Sequence, residues 1–509
     1  MPTGTYVMAV DWSGDGSNFS GTGEDITART LSVEYNRGND YASQLVGKAV
    51  AGTLTATLNN ESGDYSTFNA SSPLTGNLVP GRKVKLTAND GTTTFTLWSG
   101  FLESIEPLPS ATGPNLARLK AIGPLGFLNK LEVSTALFTD TATGALIGEV
   151  LDAAGWPADD RDIDTGLVTL PYFWAQRTPT FQALRLIEDT ETAMLEENGA
   201  GQIVYRDRHA RSKDTRSVTS QATYSDASGA GLAYSGVSQI DALKFIYNDL
   251  RAKVQFFSVA GSASVLWTHP ESGSSSPGIA AGATKTFTAL YPSSGTANTA
   301  QAVGAWTTLA ATTDYVGNDA ADGSGTTRTS SLSASLTKRA QSMDIALTNG
   351  HSGTVYVTKL QARGTALSTT DPVEVAASDS TSQTAFGRRT YPHPSKFWPS
   401  TTEGQDWADF HVEVWKDPVP LLRMTVAGNR STATLTDIYT REISDLITVT
   451  AVNDSGLGIN ETFFIEKMSH SIDAQLNHRV TYTLSQASGY SGFWVMNSSP
   501  LGISTRLAY

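Results

Sequence analysis

The sequence predicts a mainly β, multidomain protein that contains a smaller α+β module. The 45 Gly and 20 Pro residues, with many short runs that alternate apolar residues with Thr or Ser, are typical of short strands joined by turns. A chain of 509 residues exceeds the ~250 to 300 residues that one hydrophobic core usually supports. The 18 Phe, 17 Tyr and 10 Trp residues supply bulky side chains that disordered chains lack. We therefore expect three or four folded domains.

Residues 1–125 predict a small antiparallel β-barrel or sandwich. A strand at 52–58 alternates small or apolar residues with Thr. Further strands are predicted at 83–87 and 94–98, because Asn89-Asp90-Gly91 between them is a hairpin signal.

Residues 126–232 predict the α+β module, because the apolar period changes there. One helix is expected to begin at Thr143 and to end before Gly155. A second is expected from Thr180 to Asn198-Gly199, followed by a short strand at 202–205.

The segment 262–365 differs from its surroundings. It is rich in Gly, Ser, Thr and Ala, and its short, evenly spaced strands predict an inserted β-sandwich, immunoglobulin-like or carbohydrate-binding-like. Strand character is predicted on either side of it, at 233–261 and again after Gly364.

The C-terminal part predicts a helix followed by a series of strands. The helix is expected at 403–415, because its apolar residues fall on one stripe. The strands are expected at 422–426, 447–452, 463–468 and 478–484. Residues 491–509 show no clear period, and we expect them to dock as a tail.

Charge and composition exclude several classes of protein. A formal net charge of −13 argues against an ordinary nucleic-acid binder, which needs clustered Lys and Arg. Cysteine is absent, so disulfides and Cys-ligated metal sites are excluded. The N-terminus resembles no secretory signal. No segment approaches the ~20 apolar residues of a membrane span.

The seven histidines, at 209, 269, 351, 393, 411, 470 and 478, form no His-Glu-x-x-His motif, so a zinc hydrolase is poorly supported. His470 and His478 flank a short turn. We expect them to face each other across a hairpin at a surface or subunit interface. Two ligands alone make a weak metal site.

For each of two charged segments, a surface turn is favoured over a binding site. Residues 206–211 hold the densest charge run and could grip an acidic partner or a phosphate, but a solvated strand end and turn is favoured. An acidic turn at 159–164 is favoured over a calcium site, because the central Gly and terminal Glu of the calcium loop are missing there. That turn holds Asp159, Asp160, Asp162 and Asp164.

Signatures of catalysis are missing. Residues 76–83 superficially resemble a phosphate loop, but Arg82 stands where Lys is needed and a strand follows. Neither a Gly-x-Ser-x-Gly elbow nor a Cys nucleophile occurs. We therefore expect that the protein is not an enzyme and that it has no catalytic, cofactor-binding or metal-binding residues.

Two sets of segments carry a family resemblance. They are Arg37-Gly38, residues 52–60, Gly63-Asp64-Tyr65, Ser72-Pro73-Leu74, residues 77–82 and 98–102 in the first part, and Gly428-Asn429-Arg430, residues 463–472 and 504–507 in the last. Their order resembles that of siphophage minor tail proteins, relatives of the trimeric baseplate hub proteins. The resemblance covers the chain except the insert at 262–365.

The resemblance implies two tube-like β-barrel domains, at 1–125 and at 233–261 with 366–490, the second with an associated helix. It implies a homotrimeric tail hub that closes or continues the tail tube and provides the channel for DNA ejection. The net charge adds the hypothesis that acidic barrel side chains face this lumen, because DNA slides past a surface that does not bind phosphates. A lumen lined mainly by Lys and Arg would contradict it.

The implied partners are other copies of the chain, distal tail or tail tube proteins, the tape measure protein, and other tail-tip proteins or fibres. Phage DNA would pass only transiently, without stable binding. The implied location is the virion tail tip, after assembly in the host bacterial cytoplasm.

Two further hypotheses remain open at this point. The insert departs from the family pattern, and its aromatic residues Trp306, Tyr315 and Tyr356 could stack on host glycans, which would make the chain a receptor- or glycan-binding tip protein. A cell-wall hydrolase is the third hypothesis, because some tail-tip proteins carry such domains.

Overall fold

The computed structural model describes residues 2, 4–16, 19–21, 23–40, 48–271, 274–291, 300–395, 397–453 and 456–487. Within these residues the protein is mainly β and multidomain, as the sequence predicts. The expected tail at 491–509, and with it residues 504–507, lies outside the described residues. None of the described helices has the length and apolar character needed to cross a membrane.

The N-terminal region is built from long antiparallel strands. They are β1 (Thr5–Val10), β2 (Thr30–Asn39), β3 (Ala49–Asn59), β4 (Lys83–Asn89), β5 (Thr94–Leu108) and β6 (Leu116–Ile122). Alternation decides the faces: in β3, Leu54, Ala56 and Leu58 are buried, while the intervening Thr residues point the other way. The strands predicted at 52–58, 83–87 and 94–98 are confirmed.

The next region mixes helices with short strands. They are α1 (Pro124–Leu128), β7 (Glu132–Val133), β8 (Phe138–Ala142), α2 (Thr143–Ala153), β9 (Arg161–Ile163), β10 (Thr169–Phe173), β11 (Thr178–Pro179), α3 (Thr180–Glu191), β12 (Met194–Glu197), β13 (Ile203–Arg206), α4 (Ala210–Lys213) and α5 (Thr215–Val218).

The helix predicted from Thr143 is confirmed, but the predicted end of the second helix is wrong. Thr192 adopts a left-handed conformation with φ 57° and ends α3. The next residues form β12, which pairs antiparallel with β13. The apolar residues Met194 and Leu195 therefore belong to a strand, although their spacing also fits a helix.

The middle of the chain holds the insert and the strands that lead into it. They are β14 (Thr223–Ser225), β15 (Gly236–Ile240), β16 (Asp249–Val254), β17 (Phe257–Val259), β18 (Ser264–His269), β19 (Gly278–Ile279), β20 (Thr284–Leu290), β21 (Ala300–Trp306), β22 (Tyr315–Asn318), β23 (Leu332–Lys338), β24 (Ser342–Asn349) and β25 (Val355–Thr369).

Two sheets of the insert enclose one hydrophobic cluster that contains Phe287, Ile345 and Leu360. The insert begins and ends on neighbouring strands, because Phe257 of β17 pairs with Thr369 of β25. Its sheets therefore extend a few residues beyond 262–365. Phe257 packs against Trp174 of the α+β region, with ring centroids 5.6 Å apart.

The C-terminal elements are β26 (Val373–Ser378), α6 (Ser380–Phe386), β27 (Thr390–Pro392), α7 (Thr401–Trp415), β28 (Leu421–Ala427), α8 (Thr432–Thr440), β29 (Leu446–Ala451), β30 (Ile459–Ile472) and β31 (His478–Gln486). The helix predicted at 403–415 is confirmed as α7. The four strands predicted after it correspond to β28, β29, β30 and β31.

Part of the region assigned to a second barrel forms a separate unit. β16 pairs with β26 and β27 in a small sheet, and α7 packs on that sheet through the buried Trp407. The family resemblance implies that 233–261 and 366–490 form one barrel. The structure divides these residues between the small sheet and the large sheet.

The strands of the first predicted barrel meet the remaining strands of the second in one large sheet. Its order is β1-β4-β5-β6-β3-β2-β30-β31-β28-β15, and β29 with β14 branches from β30. The two halves join where β2 pairs antiparallel with β30, from Val33 opposite Ile472 to Gly38 opposite Lys467. A single hydrophobic cluster runs under both halves.

Gly38 lies at this join in a conformation that only glycine adopts easily, with φ +111°. A Cβ atom at this position would lie 2.4 Å from the backbone oxygen of Glu466. The close approach of β2 to β30 therefore requires glycine.

We expect Gly38→Ala to lower the free energy of unfolding by more than about 3 kcal/mol, because backbone strain and a backbone clash add together. Gly91→Ala is the matched control, since Gly91 has φ +104° and open space around it. Its cost should be about 1 kcal/mol. Urea unfolding followed by Trp fluorescence measures both, and equal losses for the two variants would contradict the proposed role of the join.

Candidate assembly site

A buried carboxylate holds the join between the two halves of the large sheet. Glu466 of β30 is fully buried and accepts two hydrogen bonds from Arg211, each of 2.8 Å. Asn39 of β2 donates to it at 2.8 Å, and Ser485 of β31 at 2.5 Å. Burial alone would raise the pKa of Glu466, but the Arg211 charge and these hydrogen bonds hold it below its usual value. One side chain thus ties three elements together.

Further ion pairs surround this carboxylate. Arg37 of β2 forms an ion pair with Glu442. Arg216 of α5 donates to Asp445 at 2.6 Å, and Arg441 lies 3.2 Å from the same carboxylate. These pairs fix the short helices of the α+β region to the segment that follows α8.

Two adjacent carboxyl groups of β12 lie beside this network in different surroundings. Glu197 accepts hydrogen bonds from the backbone amides of Gly52 and Leu125, at 2.5 and 3.0 Å. Burial raises its pKa to about 7, against the lowering effect of these bonds. Among the described residues, Glu196 has no side-chain hydrogen bond. Burial and the Glu442 charge raise its pKa to about 8.

Glu196 should make stability depend on pH. Its folded-state pKa, about 8, lies above the ordinary value of 4.5, so its contribution is full below pH 4.5 and is lost as the pH rises through 8. Glu196→Gln fixes the neutral form. We therefore expect the free energy of unfolding of this variant to rise relative to that of the wild type between about pH 5 and 8, by at most about 1.4 kcal/mol per pH unit.

Glu197→Gln is the matched control at the neighbouring position. Its amide group would oppose a backbone N–H donor, so a loss of about 1 to 3 kcal/mol is expected at pH 5. Because the folded-state pKa of Glu197 is also raised, to about 7, this loss should shrink up to pH 7 and stay constant from pH 7 to 8, where only Glu196→Gln still gains stability relative to the wild type. Urea unfolding at pH 5, 6, 7 and 8 separates the two behaviours. A difference between Glu196→Gln and the wild type that does not change with pH would refute the assignment.

The histidine pair lies in the core. His470 Nδ1 and His478 Nε2 are 2.9 Å apart, so the predicted hairpin facing is confirmed. The expected surface position is wrong, because His478 is fully buried and His470 stacks on Tyr35. Tyr6 bonds to the other nitrogen of His478 at 3.0 Å. Burial lowers the pKa of both histidines, so the pair is neutral at pH 7.

The charged run at 206–211 is not a solvated turn, which corrects the sequence-based interpretation. Arg211 is buried against Glu466, and Arg208 donates to Glu403 at 2.5 Å. Arg206 contacts Asp162 and Asp164. The sequence could not reveal these partners, because each is contributed by a distant segment.

The acidic turn at 159–164 is therefore partly neutralised by Arg206. Within the described ranges, no group of three or more His, Asp or Glu residues could hold a metal ion. Residues 76–83 run from a loop into β4, as their sequence indicates.

The aromatic residues suggested for glycan contact do not form an exposed platform. Trp306 and Tyr315 are 7% and 8% exposed and belong to the core of the insert. Trp306 Nε1 donates to the backbone oxygen of Arg339 at 2.7 Å. Tyr356 is half-buried on β25. The ring faces of Trp306 and Tyr315, held in the core, cannot stack on a sugar.

The large sheet presents a polar face on the side opposite the core. Its hydroxyl groups come from Thr53 and Thr55 of β3 and from neighbouring strands. Its charged residues include the basic Arg118, Lys120, Arg423, Lys467 and Arg479 and the acidic Glu34 and Glu106. In a chain of net charge −13, this face is basic. The acidic side chains that were expected to face the lumen therefore do not lie on this face.

No protein-family model matches the sequence, and no curated protein matches it. Among solved structures, the chain is similar to the tail protein from Neisseria meningitidis MC58, with 9% identity, 95% of this chain and 96% of that chain covered, and a TM-score of 0.50. The 43 kDa tail protein of prophage MuSo2 from Shewanella oneidensis is similar at 10% identity, with 96% and 99% covered and a TM-score of 0.48. Prophage tail protein gp18 from Listeria monocytogenes EGD-e is similar at 8% identity, with 94% of each chain covered and a TM-score of 0.38. The Neisseria comparison shows a shared fold, as the resemblance in the sequence implies.

Proposed function

We propose that the chain is a structural subunit of a phage-type tail hub and that it is not an enzyme. The fold shared with the Neisseria tail protein carries this proposal, because it extends over 95% of this chain and 96% of that one. A fold alone does not define a function. The order of the sequence motifs, which resembles that of siphophage minor tail proteins, supports the same conclusion independently.

The proposed assembly is a homotrimeric ring that closes or continues the tail tube. The large sheet supports it, because the sheet runs through two halves, which hold the strands of the first predicted barrel and part of those of the second, and ends in β1 and β15. Backbone groups at the β1 end can pair between subunits. The proposed neighbours are tail tube or distal tail proteins, the tape measure protein, and other tip proteins or fibres at the virion tail tip, after assembly in the host cytoplasm.

The proposed channel passes DNA without holding it. Unpaired Arg and Lys side chains would bind phosphates and slow this passage. We therefore assign the basic face of the large sheet to contacts with proteins, and the channel wall to other surfaces of the ring.

Mass photometry and negative-stain electron microscopy of the purified chain test the ring. We expect particles of three times the monomer mass with threefold symmetry and a central hole. Protein that stays monomeric at every concentration and ionic strength would overturn the ring.

Zymography on peptidoglycan tests the non-enzymatic role. We expect no cleared band for the purified chain beside a lysozyme positive control. A cleared band that co-migrates with the chain would favour the hydrolase instead.

A further inference from the structure

We propose that a concavity on the basic face of the large sheet binds an extended acidic and apolar peptide segment of another protein. The concavity has a volume of about 280 Å³ and lies between the face formed by β28, β30 and β31 and the end of β15. This inference goes beyond the hub proposal and does not rest on ring formation.

The positive charge of the concavity comes from Arg423 and Lys467. Neither side chain has a hydrogen bond or ion pair with another described residue. Asp40 and Lys244 also line the concavity and have opposite charges, so they do not change its net charge. An arginine and a lysine that have no partner among the described residues, in a chain of net charge −13, provide a specific place for an anionic group.

The register of the strands sets the spacing of these cations. Lys467 pairs with Thr483, Thr483 with Arg423, and Arg423 with Ser238, in one row across β30, β31, β28 and β15. Strands lie about 4.8 Å apart, so the backbones of Arg423 and Lys467 are about 10 Å apart. A carboxylate above the Thr483 hydroxyl is then within reach of both long side chains.

Apolar side chains beside the cations favour a peptide over a nucleic acid. Ile240, Phe245 and Leu421 line the same concavity; Ile240 is 37% exposed and offers the accessible apolar surface, whereas Phe245 and Leu421 are buried beside it. A phosphodiester chain gains nothing from such a surface, whereas an apolar side chain next to an acidic one gains from burial there. The ligand class that fits both features is a peptide that alternates Glu or Asp with aliphatic residues.

The edge of β15 offers backbone groups to the same peptide. β15 pairs only with β28, and its other edge has no backbone hydrogen bond with any described residue. Its sequence, Gly-Val-Ser-Gln-Ile, contains neither the charges nor the proline that usually protect a free edge. An extended segment can therefore continue along β15.

Fluorescence anisotropy with a labelled Glu-Val-Glu-Val-Glu-Val peptide tests the proposal on the full chain. We expect saturable binding to the wild type and at least a tenfold loss for the double variant Arg423→Glu, Lys467→Glu. The matched control, Lys120→Glu, Arg479→Glu, makes the same change of charge on the same face outside this concavity, and should change affinity less than about threefold. Circular dichroism and thermal melts confirm that both variants are folded.

Three outcomes would overturn the proposal. The first is no binding by the wild type, or an equal loss in both double variants. The second is tighter binding of hexaglutamate or of a 12-nucleotide single strand than of the Glu-Val peptide, which would indicate a general anion site. The third is loss of the ring in mass photometry for Arg423→Glu, Lys467→Glu but not for the control, which would make a second copy the occupant. A chain that never forms rings but binds the peptide would contradict only the ring.

Discussion

The antiparallel pairing of β2 with β30 is the contact on which the rest of the structure depends. It joins segments that are very distant in sequence, since Asn39 and Glu466 are separated by 427 positions. Closing so long a loop costs conformational entropy that only the contacts formed afterwards can offset. Those contacts are the hydrophobic cluster under both halves and the hydrogen bonds around Glu466. Without this pairing the large sheet would separate into two halves with exposed edges.

The buried Glu466 carboxylate at the pairing of β2 with β30 acts mainly on the specificity of strand pairing. Moving a carboxylate and a guanidinium out of water costs several kcal/mol per ion, and their attraction offsets this cost only when the geometry is good and further hydrogen bonds are present. Glu466 meets both conditions, because Arg211 contacts both of its oxygens and Asn39 and Ser485 donate as well. A register shifted by one residue would turn this carboxylate to the other face. The cluster therefore disfavours wrong pairings of the two halves.

Local patterns in the sequence predict much of the fold, whereas long-range partnerships are missed. Alternation predicts β3, β28 and β31, and the apolar stripe predicts α7, because each depends on neighbours along the chain. The end of α3 is missed because a left-handed Thr192 carries no clear signal. The roles of Arg211 and Glu466 are missed because a buried arginine and an exposed one look alike in sequence. For the same reason, Trp306 and Tyr315 were expected to be accessible although they lie in the core of the insert.

The junction of the insert has a consequence for how this chain can vary. Because β17 and β25 lie side by side, the insert enters and leaves the host fold at nearly one point. A module attached in this way can be lengthened, replaced or removed with little strain on the rest of the chain. Phe257 limits how freely the module can be exchanged, since its ring packs against Trp174 and Phe397. A replacement module that keeps this aromatic contact would retain a fixed orientation relative to the rest of the chain. One that loses the contact would be free to rotate about its two connecting strands.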